Sequence, residues 1–179
     1  RFEVPETEPT VHRLPLTDQD MRRTQAEPLA IYQAFLNALT EANMARDMDA
    51  YGRMVSFPYT VHHENTDIVI DTPQEMKPVF DTISSLLDTS QADRFERTAE
   101  KAEFISGTMI CGYHMSYMYR QETMVLGPIR SRMVLERQGP EWRLKSVTNA
   151  VANESYPYSD PVTQQSLVTI REIQERQRQ

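Results

Sequence analysis

The chain has 179 residues, 39% hydrophobic and 25% charged, enough for one domain with its own core and short for two. Its 19 Lys and Arg against 26 Asp and Glu leave a net charge of −7, and an acidic body repels phosphate backbones and anionic membranes, so neither nucleic acid nor a membrane is expected as a partner. One cysteine and four scattered histidines exclude an internal disulfide and Cys-rich zinc sites; no metal or cofactor is expected, and the expected location is the cytoplasm.

Residues 1–17 contain Pro5, Pro9 and Pro15 and no apolar periodicity, which predicts an extended arm. Thr17-Asp18-Gln19-Asp20 suits a helix entry, with a capping hydroxyl and acidic groups in the positive first turn. Leu29, Tyr32, Phe35, Leu36, Leu39 and Ala42 then recur at three and four, one apolar stripe of a helix. Pro28 predicts either a separate short helix before it or a kink. Asp47 caps a second, shorter helix whose Met48, Tyr51 and Val55 share a face, ending before Phe57-Pro58.

Residues 57–64 are rich in β-branched and aromatic side chains, and a polar turn at Asn65-Thr66-Asp67 leads to Ile68-Val69-Ile70, a predicted hairpin. Thr72-Pro73-Gln74-Glu75 is a second capping box. The helix behind it buries Met76, Val79, Phe80, Ile83 and Leu87. From about residue 94 the period falls to two. Strands are predicted over 94–106, 108–121, 129–138 and 141–151, separated at Gly107, Gly127-Pro128 and Gly139-Pro140. Long strands with one wet face predict a strongly twisted antiparallel sheet with helices on its other side. Ser159-Asp160-Pro161 opens a last amphipathic helix carrying Val162, Leu167, Ile170 and Ile173. The organisation expected is an arm (1–17), one domain (18–152) and a C-terminal helical extension (153–179).

Ala45-Arg46-Asp47-Met48-Asp49-Ala50-Tyr51, and Ser131–Arg137 followed by Gly139-Pro140-Glu141-Trp142-Arg143-Leu144, resemble the second helix and the closing hairpin of the NTF2-like superfamily. The order of elements resembles it too. The resemblance covers residues 18–152 and implies an α+β cone of the SnoaL-like and ketosteroid-isomerase-like type: a curved antiparallel sheet packed against N-terminal helices, here with an extra C-terminal helix. It also implies a homodimer. Members of that superfamily include isomerases, dehydratases, polyketide cyclases and hydrolases, and also non-catalytic binding and assembly proteins.

Adjacent residues on a strand point to opposite faces, so at most one of His62 and His63 enters an interior. His63 shares parity with Phe57, Tyr59 and Val61 and is the candidate catalytic acid or base. Tyr32, Tyr51, Tyr59, Tyr113, Tyr117 and Met133 are candidates for lining a pocket, because a phenol joins a large apolar body to one donor and a thioether adapts to irregular space. The more apolar face of the second long strand (Met109, Cys111, Tyr113, Met115, Tyr117, Tyr119) is expected to face inward, leaving Gly112, His114, Ser116 and Met118 outward as the surface a second copy covers, unless a bulge at Gly112 flips the register of His114. Cys111 should be an inert buried thiol. Arg130 and Arg132 are expected on the outer face, pairing across a subunit boundary with Glu100 or Glu122, or simply solvated. No HExxH, G-x-G-x-x-G, P-loop or G-x-S-x-G spacing occurs.

Two functions fit these residues. One is an apolar pocket for a small hydrophobic molecule, with isomerase, dehydratase or cyclase-type proton transfer through His63 if it is catalytic. The other is a non-catalytic dimeric binding or assembly module.

Overall fold

The structure, a computed structural model, describes residues 18–62 and 67–149, with side chains for residues 26–62 and 67–148. The N-terminal arm with its Thr17 cap, His63 with the turn after it, and the C-terminal extension lie outside the described residues.

Helix α1 (Asp18–Met44) runs through Pro28 as one element rather than as two separate helices. Proline in a helix interior costs about 3 kcal/mol. Tyr32, Leu36 and Leu39 on the same helix are fully buried, and burial of side chains of that size contributes about 2 kcal/mol each. Packing outweighs the lost hydrogen bond. Helix α2 (Met48–Arg53) starts where expected, with the Ala50 amide donating to Asp47 Oδ1 at 2.9 Å, but it ends short of Val55, which opens the first strand.

Strands β1 (Val55–His62) and β2 (Asp67–Ile70) form the predicted antiparallel pair, with Tyr59 opposite Ile70. Helix α3 (Pro73–Ser90) has Thr72 as its N-cap and Pro73 in its first turn. The Glu75 amide donates to Thr72 Oγ1 at 3.4 Å, and the Asp71 amide donates to Glu75 Oε2 at 3.1 Å. The capping box therefore forms with its return bond shifted by one residue.

Strands β3 (Arg94–Ser106), β4 (Met109–Arg120), β5 (Thr123–Gln138) and β6 (Glu141–Asn149) follow as a meander. The sheet has six strands in the order β2-β1-β6-β5-β4-β3. It is curved and unclosed. One pair departs from the expected antiparallel pattern: β1 and β6 are parallel, because the meander returns beside β1 only after α3 has carried the chain away. The result is an α+β arrangement of a curved sheet against three helices, and among the described residues no helix is long and apolar enough to cross a membrane.

Strand β5 runs through Gly127-Pro128 instead of starting at residue 129. The β4–β5 register shifts beside it, between Ser116 and Met118. Gly127 has φ 106°, and a Cβ there would lie 2.5 Å from the Ser116 carbonyl oxygen. The glycine makes a bulge that bends the strand without ending it.

The core divides in two. The larger part gathers Tyr32, Leu36, Tyr51, Ile70, Met76 and Leu135 between the helices and the middle of the sheet. The smaller joins Leu86, Leu87, Phe95, Met118 and Leu126 at the far end of α3. Between α1 and the sheet's last strand a side chain substitutes for a neighbour: the Ala99 amide donates to Gln33 Oε1 at 2.7 Å, and Gln33 Nε2 donates to the Arg97 carbonyl at 2.9 Å.

Replacing Gly127 with Ala should destabilise the protein by about 2 kcal/mol or more, since both φ and the Ser116 carbonyl oppose a Cβ. Urea unfolding with an unchanged m-value would show it.

Candidate functional site

The two faces of β4 are the reverse of the sequence expectation. Ile110, Gly112, His114 and Met118 are the buried set, and Met109, Cys111, Tyr113, Met115, Tyr117 and Tyr119 are half-exposed on the opposite face. Alternation separates two faces but does not say which lies under a helix. Here the choice follows from size. The Tyr32 ring of α1 lies directly on β4, where a Cβ on Gly112 would come within 2.5 Å of it. Only the face with a glycine at that point can accept the helix.

That approach brings Tyr32 Oη to 2.6 Å from His114 Nδ1. Both residues are almost fully buried, at 0% and 1% exposure. Burial, and after it the Arg97 charge, lowers the His114 pKa to about 3. The imidazole is therefore neutral at neutral pH, with Nδ1 facing the phenol. Burial pushes the Tyr32 phenol well above its ordinary range, opposed by Arg97 and by a hydrogen bond with the Met133 backbone. It keeps its proton. Ser131 is His114's neighbour across β4 and β5, and Met133 is Gly112's.

Arg97 completes the group. It shares the inward face of β3 with Phe95 and is 8% exposed. Its Nη1 donates to Thr40 Oγ1 at 2.9 Å and to Asn43 Oδ1 at 3.0 Å, both on α1, and its guanidinium stands 4.3 Å over the Phe95 ring. Burial, partly offset by the phenols of Tyr51, Tyr32 and Tyr59, lowers its pKa to about 10. Burial likewise raises the Tyr51 pKa. Arg97 remains a cation at neutral pH, hydrogen-bonded to the neutral oxygens of Thr40 and Asn43.

The residues expected to line a pocket divide accordingly. Tyr32, Tyr51, Tyr59 and Met133 are buried in the interior. Tyr113 and Tyr117 are on the outer face. Lys101 Nζ and the Arg130 guanidinium stand 4.6 and 4.7 Å from the Tyr113 ring centroid, and Tyr117 stacks on Tyr119. His114, expected outside, is inside. Cys111 is half-buried on the outer face, with its thiol pKa raised by burial. Arg130 and Arg132 are on the outer face as expected, but Arg130 Nε pairs with Glu100 Oε2 at 2.8 Å within this chain, with no subunit boundary needed. His62 faces outward, with Nδ1 2.9 Å from Asp67 Oδ1. Among the described residues no three His, Cys, Asp or Glu side chains gather as a metal site would require.

Sequence reasoning missed Arg97, Thr40 and Asn43. An arginine with the inward parity of Phe95 was a signal for the first. Thr40 and Asn43 sit four and seven residues beyond Leu36 on the buried side of α1, a polar interruption of the stripe.

Two clefts border these elements. One, of about 550 Å³, lies between α1 and β3, with Gln33, Thr40, Met44, Phe95, Glu96 and Arg97 on its walls. The other, of about 530 Å³, lies at the opposite end of α1, beside Ile31, Phe104 and Trp142.

A Gly112→Ala variant should displace the Tyr32 ring and lose about 1–3 kcal/mol in urea unfolding. The pH response has a definite sign. Between pH 6.5 and about 3 the unfolded chain protonates His114 and the folded chain does not, so stability falls as pH drops through that window. The contribution from this one group between pH 7 and 4 is on the order of 3 kcal/mol. A His114→Gln variant should show a correspondingly shallower decline.

No protein-family model and no curated protein matches the sequence. Solved structures do match the fold. A Mycobacterium tuberculosis protein of unknown function superposes with a TM-score of 0.55 at 11% identity, over 87% of this chain and 94% of that one. An NTF2-like protein with a cystatin-like fold from Novosphingobium aromaticivorans gives 0.50 at 14% identity, over 81% and 95%. An NTF-2 like protein of unknown function from Shewanella oneidensis gives 0.50 at 12% identity, over 68% and 98%. Identities this low speak to architecture alone, and in architecture the chain is an NTF2-like fold.

Proposed function

We propose that the protein binds a small, largely apolar molecule in the interior between α1 and the sheet, and orients one polar group of it with His114 and Tyr32. The observation that carries this reading is the pair itself: a neutral imidazole 2.6 Å from a protonated phenol, both walled by apolar side chains. A pair with only a packing role is replaceable by apolar residues of the same size at little cost. A pair that meets a ligand supplies one acceptor and one donor in a dry site, the equipment for moving a proton between two positions of a bound molecule. Tyr51, Tyr59 and Met133 would form the wall around it. The catalytic role expected of His63, which lies outside the described residues, passes in this reading to His114, with His63 kept as a second candidate.

The test is a titration of the full chain with 2-naphthol, an uncharged aromatic with one hydroxyl, followed by NMR of the histidine ring signals. Saturation should shift the His114 signals, and Tyr32→Phe and His114→Gln should each weaken binding about tenfold while leaving the fold intact. His114 signals that do not move at saturating 2-naphthol would overturn the reading.

A second reading, dimerisation through the outer face of the sheet, is supported by the half-exposed row Tyr113, Met115, Tyr117 and Tyr119. A continuous aromatic and thioether row of this kind suits a partner surface. Replacing Tyr117 with Glu should halve the mass found by light scattering; a mass unaltered by the substitution would count against this surface.

A further inference from the structure

Arg97 is a cation held by neutral partners. Its Nη1 bonds are to the hydroxyl of Thr40 and the amide oxygen of Asn43, and no carboxylate lies within salt-bridge distance of it among the described residues. The desolvation cost of such a charge is several kcal/mol, and a buried guanidinium ordinarily recovers it from an acid. A guanidinium carries five N–H donors, and both of these bonds come from Nη1. A second group points the same way. Asn43 is 0% exposed, and its Nδ2 is buried with no acceptor. Flipping the amide cannot relieve this, because it would turn Nδ2 toward Arg97, which offers only donors. Asn43 thus keeps an unmet donor beside Arg97, and Arg97 itself forms part of the wall of the 550 Å³ cleft between α1 and β3.

The rest of the cleft narrows the chemistry. Met44 and Phe95 give it an apolar wall, while Glu41 and Glu96 also border it, the latter 3.3 Å from Arg94. Two carboxylates near the opening oppose a ligand with several negative charges and tolerate one that brings a single charge to the guanidinium. The Gln33 side chain is already committed to the β3 backbone, which leaves Arg97 as the strongest donor in the cleft. We propose that Arg97 binds the carboxylate of a small monocarboxylic acid with an apolar body, using the fork geometry that suits guanidinium to carboxylate. Thr40 and Asn43 position the guanidinium and do not touch the acid. This extends the small-molecule reading above to a second, separate site, since neither His114 nor Tyr32 lines this cleft.

The experiment is calorimetric titration of the full chain with benzoate, with the uncharged isostere benzamide and with inorganic phosphate, on the natural protein and on Arg97→Met. Benzoate should bind at least tenfold tighter than benzamide and than phosphate, and Arg97→Met should remove that preference. The variant's melting temperature without benzoate should be equal to or above that of the natural protein, because an unneutralised buried charge is gone; a merely structural arginine would give a large fall. Should Arg97→Met not fold, Arg97→Lys keeps the charge without the fork and should weaken benzoate several-fold with benzamide unmoved. Equal binding of benzoate and benzamide would overturn the carboxylate assignment while leaving the small-molecule reading standing. Phosphate binding above benzoate would overturn the monoanion assignment. No binding of benzoate beside normal 2-naphthol binding would overturn this proposal alone, and loss of 2-naphthol response at His114 would overturn the reading of the His114 and Tyr32 site.

Discussion

The interior depends on a missing side chain. At Gly112 the sheet has no Cβ, and the Tyr32 ring takes its place. Everything polar inside follows from that approach. It sets the distance between α1 and β4, puts the phenol on His114, and brings Thr40 and Asn43, two and three turns further along the same helix, over Arg97 on β3. A helix has a fixed rise, so one close contact near its middle determines where its later residues meet the sheet. The glycine is thus a positional constraint on β3 as well as on its own strand, β4.

The same geometry explains an unusual distribution of polarity. The apolar core is continuous around α2, α3, β1 and β2, while the contact between α1 and the β3–β4 pair contains an arginine, a histidine, an asparagine and a threonine. Such a mixture is not the most stable filling for that space, since well-packed apolar residues usually equal or exceed a buried charge in stability. Proteins that retain a costly polar interior commonly do so where they meet a ligand. The outer face shows the converse. Tyr113 lies between Lys101 and Arg130, and Tyr119 lies under Arg94, so aromatic surface outside is partly covered by the aliphatic and cationic parts of neighbouring side chains.

Much of the architecture was legible in the sequence because it is encoded locally. Asp47 and Thr72 announce their helices through capping geometry that needs only three following residues. The β1–β2 hairpin and the β3–β6 meander announce themselves by period. What could not be read was decided at a distance. Pro28 was outweighed by packing of Tyr32, Leu36 and Leu39. Gly127-Pro128 became a bend because β4 continues to pair on both sides of it. Most of all, the sidedness of β4 turned on whether the Met and Tyr face or the Gly and His face met α1. Hydrophobicity favoured the first and shape required the second. The site inherited that error: four of its six expected wall residues lie inside, two lie outside, and the histidine that faces the phenol had been assigned to the surface.

The pairing of Gln33 with the Arg97 carbonyl and the Ala99 amide has a consequence beyond holding α1 in place. Strand β3 ends the sheet, and its free main-chain groups are a template on which another molecule could grow a cross-β stack. The primary amide caps that template at its centre with a donor and an acceptor spaced like those of a peptide unit. Further along, the register shifts at Ala99/Lys101 and Phe104/Ser106 and the exposed Glu100, Lys101 and Glu103 make the remaining edge irregular and charged. One glutamine on a helix thereby protects this chain against runaway polymerisation at its only long open border among the described strands.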